Sequence, residues 1–313
     1  MKIEDIRNVL VIGAGAMGHG IAQLFAASGY CVHLMDVDQR KLEHALAMIE
    51  ASLATLEKSG LSCLAERKGI LDRVHTFTNL AAAAEGVQLV VEAVPEVADL
   101  KRSILAQLDE ICAPNTILAT NTSGLDVFEL AVGGRQSHLV ATHFFAPAQI
   151  VPLVEVAPGP GTLPEVVEIT AALMRRIGKE PVVMRQFVRS FIVNRIQSAI
   201  TKPIFEMLEN GWATPEEIDR AVKLSLGVRL PVVGVVQTYD FTGLDSVNAI
   251  TSSRGVRIPV IEQCVERGHL GAKTSKGLYD YQGRSEAEIA EKRDLRYLEV
   301  LKLLKKIDAF DPI

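Results

Sequence analysis

The sequence predicts an α/β protein in two parts: an amino-terminal parallel sheet covered by helices, then an all-helical carboxy-terminal domain. Three observations carry this. Short apolar runs alternate with longer amphipathic ones, the pattern of strand–helix units. A glycine-rich turn joins the first apolar run to the first helix. Beyond about Arg185 no clear strand pattern remains, and helix signals fill the chain.

The organising stretch is Val9 to Ala27, VLVIGAGAMGHGIAQLFAA. Val9 to Ile12 reads as a buried strand. Gly13, Gly15 and Gly18 follow in G-x-G-x-x-G spacing, with Met17 in the same turn. One glycine makes the tight turn, one lets backbone approach a pyrophosphate, and one lets helix pack on strand. The helix behind them, carrying Ile21, Leu24 and Phe25, points unpaired N–H groups and its positive end at the phosphates. A second strand, Cys31 to Met35, ends at Asp36, where a carboxylate bonds ribose hydroxyls and repels a 2′-phosphate. The first part is therefore a Rossmann-type dinucleotide-binding domain, and its expected cofactor is NAD rather than NADP.

The remaining elements follow in order. A helix over about Gln39 to Lys58, with Leu42, Ala45, Leu46 and Ile49 on one face, stops at Ser59-Gly60. Further strands are expected at Val74 to Phe77, Val87 to Val94, Thr116 to Thr120, Leu139 to Phe145 and Pro152 to Val156, with a helix from Leu100 to Ile111. Later, Phe191 to Leu208 reads as a helix with Phe191, Val193, Ile196, Ala199 and Ile200 largely on one side. Thr214-Pro215-Glu216-Glu217 is a capping box that starts a helix to about Leu226. Phe241 to Cys264 gives more helix, and Ser285 to Ile307 a final one with an apolar stripe of Tyr297, Val300, Leu301, Leu304 and Ile307. The expected domains are 1–186, binding NAD, and 187–313, a helical domain that caps substrate and dimerises.

Bulk properties exclude several classes. The chain has 313 residues and a net charge of −5, which offers nucleic acid or an anionic membrane no electrostatic footing. Cys31, Cys63, Cys112 and Cys264 are scattered without paired spacing. They read as reduced buried thiols of a cytoplasmic protein, not as a zinc site or disulfide frame. The first strand begins close to the N-terminus, so no signal peptide is expected. No apolar run reaches the roughly 20 residues of a membrane span.

Candidate chemistry gathers at the expected strand ends, where open α/β sheets bind ligands. A histidine there, His143, can take a hydroxyl proton, and Glu155 on the next strand can orient its ring. The same spacing also fits a packed histidine and a solvated strand carboxylate. Asn121-Thr122-Ser123 ends another strand, either as a polar turn or as groups for a substrate hydroxyl or a nicotinamide carboxamide. Asn194 lies in an otherwise apolar helix, and a buried amide needs partners. Glu96 and Lys101 follow the VVEAV strand, where a first-turn carboxylate is favourable for dipole reasons alone. No metal site is expected.

VIGAGAMGHGIA, VVEAVPE with Lys101, ATNTSGL, HFFAPAQIVPLVEV, IGKEPV, FIVNRI and GHLGAKTSKGLYDY occur in the order seen in the L-3-hydroxyacyl-CoA dehydrogenase family, over roughly Val9 to Tyr281. The chain resembles that family, which oxidises a 3-hydroxyl to a ketone with NAD and forms homodimers. The resemblance implies His143 as general base with Glu155 as its partner. It implies Ser123 and Asn194 as polar groups around the reacting oxygen. Glu96, Lys101 and Asn121 would lie on the cofactor side. Departures are Ala146 where the family usually has Asn, Arg189-Ser190 where it has Pro-Gly, and Gly234-Val235 in place of a Gly-Pro pair. They and the helical tail are similar to a side branch that includes L-gulonate and carnitine dehydrogenases. The expected substrate is thus a 3-hydroxyacyl-CoA such as 3-hydroxybutyryl-CoA, with a free β-hydroxy acid or related small alcohol as the alternative. A non-catalytic NAD-binding protein on the same scaffold is the remaining class.

Overall fold

The computed structural model describes residues 1–61, 64–131 and 133–312. Among these residues, eight strands form one sheet: β1 (Asn8–Ile12), β2 (Cys31–Met35), β3 (Val74–Phe77), β4 (Leu89–Glu92), β5 (Ile117–Thr120), β6 (Leu139–Phe144), β7 (Leu153–Pro158) and β8 (Glu180–Val183). Their order is β3-β2-β1-β4-β5-β6-β7-β8. All neighbours are parallel except β6 and β7, which run antiparallel. That pair corrects the expectation of a wholly parallel sheet. The link Phe145–Pro152 holds no crossover helix, so β7 returns beside β6. The edge strand β8 was not foreseen, because its Glu180-Pro181 start interrupts the apolar pattern.

Around the sheet lie α1 (Gly18–Ala27), α2 (Gln39–Lys58), α3 (Leu64–Leu71), α4 (Leu80–Ala84), α5 (Ala98–Ile111), α6 (Val127–Leu130) and α7 (Pro164–Arg176). Successive strand side chains point to opposite faces. Val9 and Val11 therefore pack with Ile21 and Phe25, while Leu10 and Ile12 pack with Leu105 and Leu108 on the other side. Both faces are buried, which is why these strands read as continuous apolar runs.

The chain divides into two compact units, Met1–Ala199 and Ile200–Ile313. The division falls within α8 (Val193–Glu209), whose first turns go with the sheet. The second unit holds α9 (Pro215–Thr242), α10 (Leu244–Ser253), α11 (Pro259–Glu266) and α12 (Glu286–Lys306). Its only strand-like pairings among the described residues are isolated bridges at Gly271–Lys276 and Lys276–Asp280. Thr214 and Glu217 form the expected capping box of α9. The helix does not stop near Leu226. It passes through Pro231 and breaks at Gly234, whose φ of 63° lies in the left-handed region that glycine tolerates. By length and composition α9 is long and apolar enough to cross a membrane, which the sequence reading did not anticipate.

The apolar side of α8 is open to solvent at Ile196, 44% exposed, and Ile200, 49% exposed. One other expectation needs correction. Of the cysteines, Cys112 is buried but Cys31 and Cys264 are only half-buried, all three as free thiols. Cys63 lies outside the described residues.

Candidate active site

His143 stands on β6 and Glu155 on β7, directly opposite each other in the antiparallel register. Facing residues of such a pair bring their side chains together on one side of the sheet. His143 Nδ1 lies 2.8 Å from Glu155 Oε2. Both are buried, at 4% and 1% exposure. The other carboxylate oxygen, Oε1, accepts the backbone N–H groups of Ile192 and Val193 at 2.9 and 3.0 Å. These donors open α8, so the helix start holds the carboxylate in place. On the far side of the ring, Asn194 Nδ2 stands 3.4 Å from His143 Nε2. An ionised carboxylate can only accept, so the contact assigns a proton to Nδ1; in the neutral ring Nε2 then holds the lone pair, toward the Asn194 amide.

Phe191 completes this setting and was misread as a helix-face residue. It precedes α8, with φ of 50° after Ser190 at 67°. A bulky residue in the left-handed region is an outlier that surrounding packing must hold. Its ring, 1% exposed, stacks on His143 with centroids 4.7 Å apart and planes 20° apart. Phe145 closes the imidazole from its edge at 4.5 Å. No periodicity signals such a stack, because it depends on a backbone turn outside any regular element.

Ser123 sits on the exposed turn after β5 and makes no hydrogen bond to His143, Glu155 or Asn194. Glu96 builds that turn. Its Oε1 accepts the Thr122 hydroxyl at 2.6 Å and the N–H groups of Ser123, Gly124 and Leu125 at 3.0, 2.8 and 2.9 Å. Burial pushes the Glu96 carboxyl up. The Thr122 hydroxyl, the Leu125 and Gly124 N–H groups and Lys101 outweigh it and hold the group below its ordinary value.

Lys101 does not lie open to a cofactor. It is fully buried, with Nζ 2.8 and 2.9 Å from the Glu92 oxygens and 3.3 Å from Glu96 Oε2. An ammonium removed from water needs such partners. Glu92 was missed: it ends β4 inside an apolar run and also accepts the Thr120 hydroxyl at 2.6 Å and the Val94 N–H at 2.8 Å. The signal was a carboxylate within VVEAV, which only a cation such as Lys101 explains. Asn121, 9% exposed, joins the ends of β5 and β6, its Oδ1 accepting the Phe144 N–H at 2.8 Å.

The turn after β1 has the form a pyrophosphate requires. Gly13 adopts φ of 98°, and a Cβ there would stand 2.7 Å from the Ala93 carbonyl oxygen. A Cβ on Gly18 would collide with the Gly13 carbonyl. At Gly15 a Cβ would meet nothing within 4 Å, so this backbone faces open space. Met17 caps the start of α1 without a side-chain bond. Asp36 follows β2 at 9% exposure, its Oδ2 accepting the Ala14 N–H at 3.0 Å and its Oδ1 the Asp38 N–H at 3.1 Å. A cavity of about 310 Å³ opens beside it, walled by Ile12, Leu80, Val94, Leu100 and Ile104. Open backbone, an anchored carboxylate and an apolar slot fit a dinucleotide.

Comparison with known proteins decides the family. The NAD binding domain of 3-hydroxyacyl-CoA dehydrogenase matches residues 8–187, and the C-terminal domain of the same enzymes matches residues 191–281. The chain belongs to the 3-hydroxyacyl-CoA dehydrogenase family. It is an NAD-dependent oxidoreductase of that family, with the Rossmann domain and helical C-terminal domain expected from sequence.

This dehydrogenase is 33% identical over 290 residues to a probable 3-hydroxybutyryl-CoA dehydrogenase of Bacillus subtilis, covering 90% of the present chain and 99% of that protein. It is 28% identical over 308 residues to the 5-formyl-3-hydroxy-2-methylpyridine 4-carboxylate 5-dehydrogenase of Mesorhizobium japonicum, covering 96% and 99%. The crystal structure of a 3-hydroxyacyl-CoA dehydrogenase from Archaeoglobus fulgidus superposes with a TM-score of 0.78 at 27% identity, covering 96% and 99% of the two chains.

Proposed function

We propose that this dehydrogenase oxidises a 3-hydroxyacyl-CoA, such as 3-hydroxybutyryl-CoA, to the 3-ketoacyl-CoA, with His143 as general base. The observation that carries the reading is the buried His143–Glu155 pair, with Nε2 left to face the Asn194 amide. Nε2 takes the proton of the substrate hydroxyl. Glu155 holds the ring in the tautomer that leaves Nε2 free and stabilises the imidazolium formed. Asn194 and Ser123 offer hydrogen bonds to the substrate oxygen. Gly13, Gly15, Met17, Gly18 and Asp36 would hold NAD, which when bound accepts the hydride leaving the carbinol carbon. Glu96, Lys101 and Asn121 shape the turn beside it.

The test is a steady-state assay of NADH oxidation with acetoacetyl-CoA beside a panel of free 3-keto acids. Turnover of the thioester at a kcat/KM well above every free acid supports the reading. Preference for a free acid supports the second one, hydride chemistry on a free β-hydroxy acid or related small alcohol. The full-length likeness to a dehydrogenase named for a pyridine carboxylate favours that alternative.

We also read the protein as a cytoplasmic homodimer. Ile200 and Phe205 on α8, and Leu224, Val235 and Tyr239 on α9, are all more than a third exposed, a surface suited to a second copy. Sedimentation should give twice the chain mass, and a monomer would refute it.

A further inference from the structure

The C-terminal unit carries a cavity of about 160 Å³ between α9, the Tyr281 loop and α12. Among the described residues, four cations line it, Arg284, Lys292, Arg293 and Arg296, and no carboxylate does. All four lie beyond Tyr281, where the family match ends.

Two of the guanidinium groups are tethered through Nε. Arg284 donates from Nε to the Tyr281 carbonyl at 2.8 Å. Arg293 donates from Nε to Asp294 Oδ1 at 2.7 Å and lies over the Phe241 ring at 4.8 Å. Among the described residues, the terminal nitrogens of both make no hydrogen bond, and neither Lys292 nor Arg296 has a hydrogen-bond or ion-pair partner. The nearby carboxylates are occupied. Asp240 accepts from the Leu278 and Tyr279 N–H groups at 2.9 Å and from the Tyr281 hydroxyl at 3.0 Å. Glu288 closes the capping box with Ser285, whose hydroxyl and N–H, with the Arg284 charge nearby, hold its carboxyl below the ordinary value. Burial and the Asp240 charge push the Tyr281 phenol far up, so it stays a neutral donor turned to Asp240.

Arg293 is already paired with Asp294, but the terminal nitrogens of Arg284 and the side chains of Lys292 and Arg296 still offer donors and positive charge to an anion at this partly apolar hollow. Arginine forks match the paired oxygens of a phosphoryl group. We propose that this cavity is an anion site, separate from the dinucleotide turn, that takes a phosphoryl dianion, either free phosphate or a small alkyl phosphate.

The experiment is calorimetric titration of the full chain, saturated with NAD so that the glycine-rich turn is filled. Inorganic phosphate is the first titrant and ethyl phosphate the second. Saturable binding should appear. It should weaken about tenfold or more in the Lys292→Gln/Arg296→Gln variant, the loss of charge-assisted contacts. Both positions are exposed, so this variant should fold and keep its dehydrogenase activity. Tighter ethyl phosphate binding assigns a phosphate ester, and equal or weaker binding assigns free phosphate; both support the site. Undiminished binding in the variant, no binding in the parent protein, or equal heats from chloride at matched ionic strength would overturn it.

Discussion

The imidazole of His143 meets the carboxylate of Glu155 across β6 and β7 with 2.8 Å between Nδ1 and Oε2. The contact links two strands whose antiparallel register puts the residues opposite each other. Replacing His143 with Ala should lower kcat by roughly 10²–10⁴ with NAD affinity nearly unchanged. Glu155→Gln keeps one oxygen that can accept from Ile192 and Val193 and should lower kcat less. Near-normal kcat for His143→Ala on the true substrate would remove the base assignment.

Asp36 is anchored by two backbone donors, and its remaining lone pairs suit ribose hydroxyls. Asp36→Ala should weaken NAD binding by roughly 1.5–3 kcal/mol, the range for hydrogen bonds to a charged group. Fluorescence titration of NAD and NADP checks this. Equal affinity for both in the unmutated protein would contradict it.

The glycines of the first turn should separate stability from binding. A Cβ on Gly13 is opposed by the Ala93 carbonyl and by a φ of 98°, so Gly13→Ala should lower the melting temperature. A Cβ on Gly15 meets nothing, so Gly15→Ala should melt like the parent yet bind NAD more weakly. Thermal melts with and without NAD read both effects.

Lys101 is fully buried against Glu92 and Glu96. Lys101→Met leaves the Glu92 carboxylate buried without its cation, and should cost roughly 3–5 kcal/mol of stability in denaturant titration. Adding Glu92→Gln should recover part of that loss. A Lys101→Met protein as stable as its parent would show that the pair carries no structural weight.

Much of this protein was legible from local pattern. Gly13, Gly18 and Asp36 belong to one strand–turn–helix–strand unit, and short-range sterics there leave few residue choices. The capping box at Thr214 was equally local, whereas the one at Ser285 was not read from the sequence. The antiparallel turn of β7, the edge strand β8 and the exposure of the apolar residues of α8 were not, because each depends on which neighbour an element finds. The site shows the same division. Its residue types could be named from motifs, but the roles of Glu92, Lys101 and Phe191 could not. A buried ion pair and a ring stacked over His143 join segments distant in sequence. Only packing decides whether a carboxylate is desolvated beside an ammonium, or whether a strained residue at φ of 50° holds an aromatic ring against the imidazole.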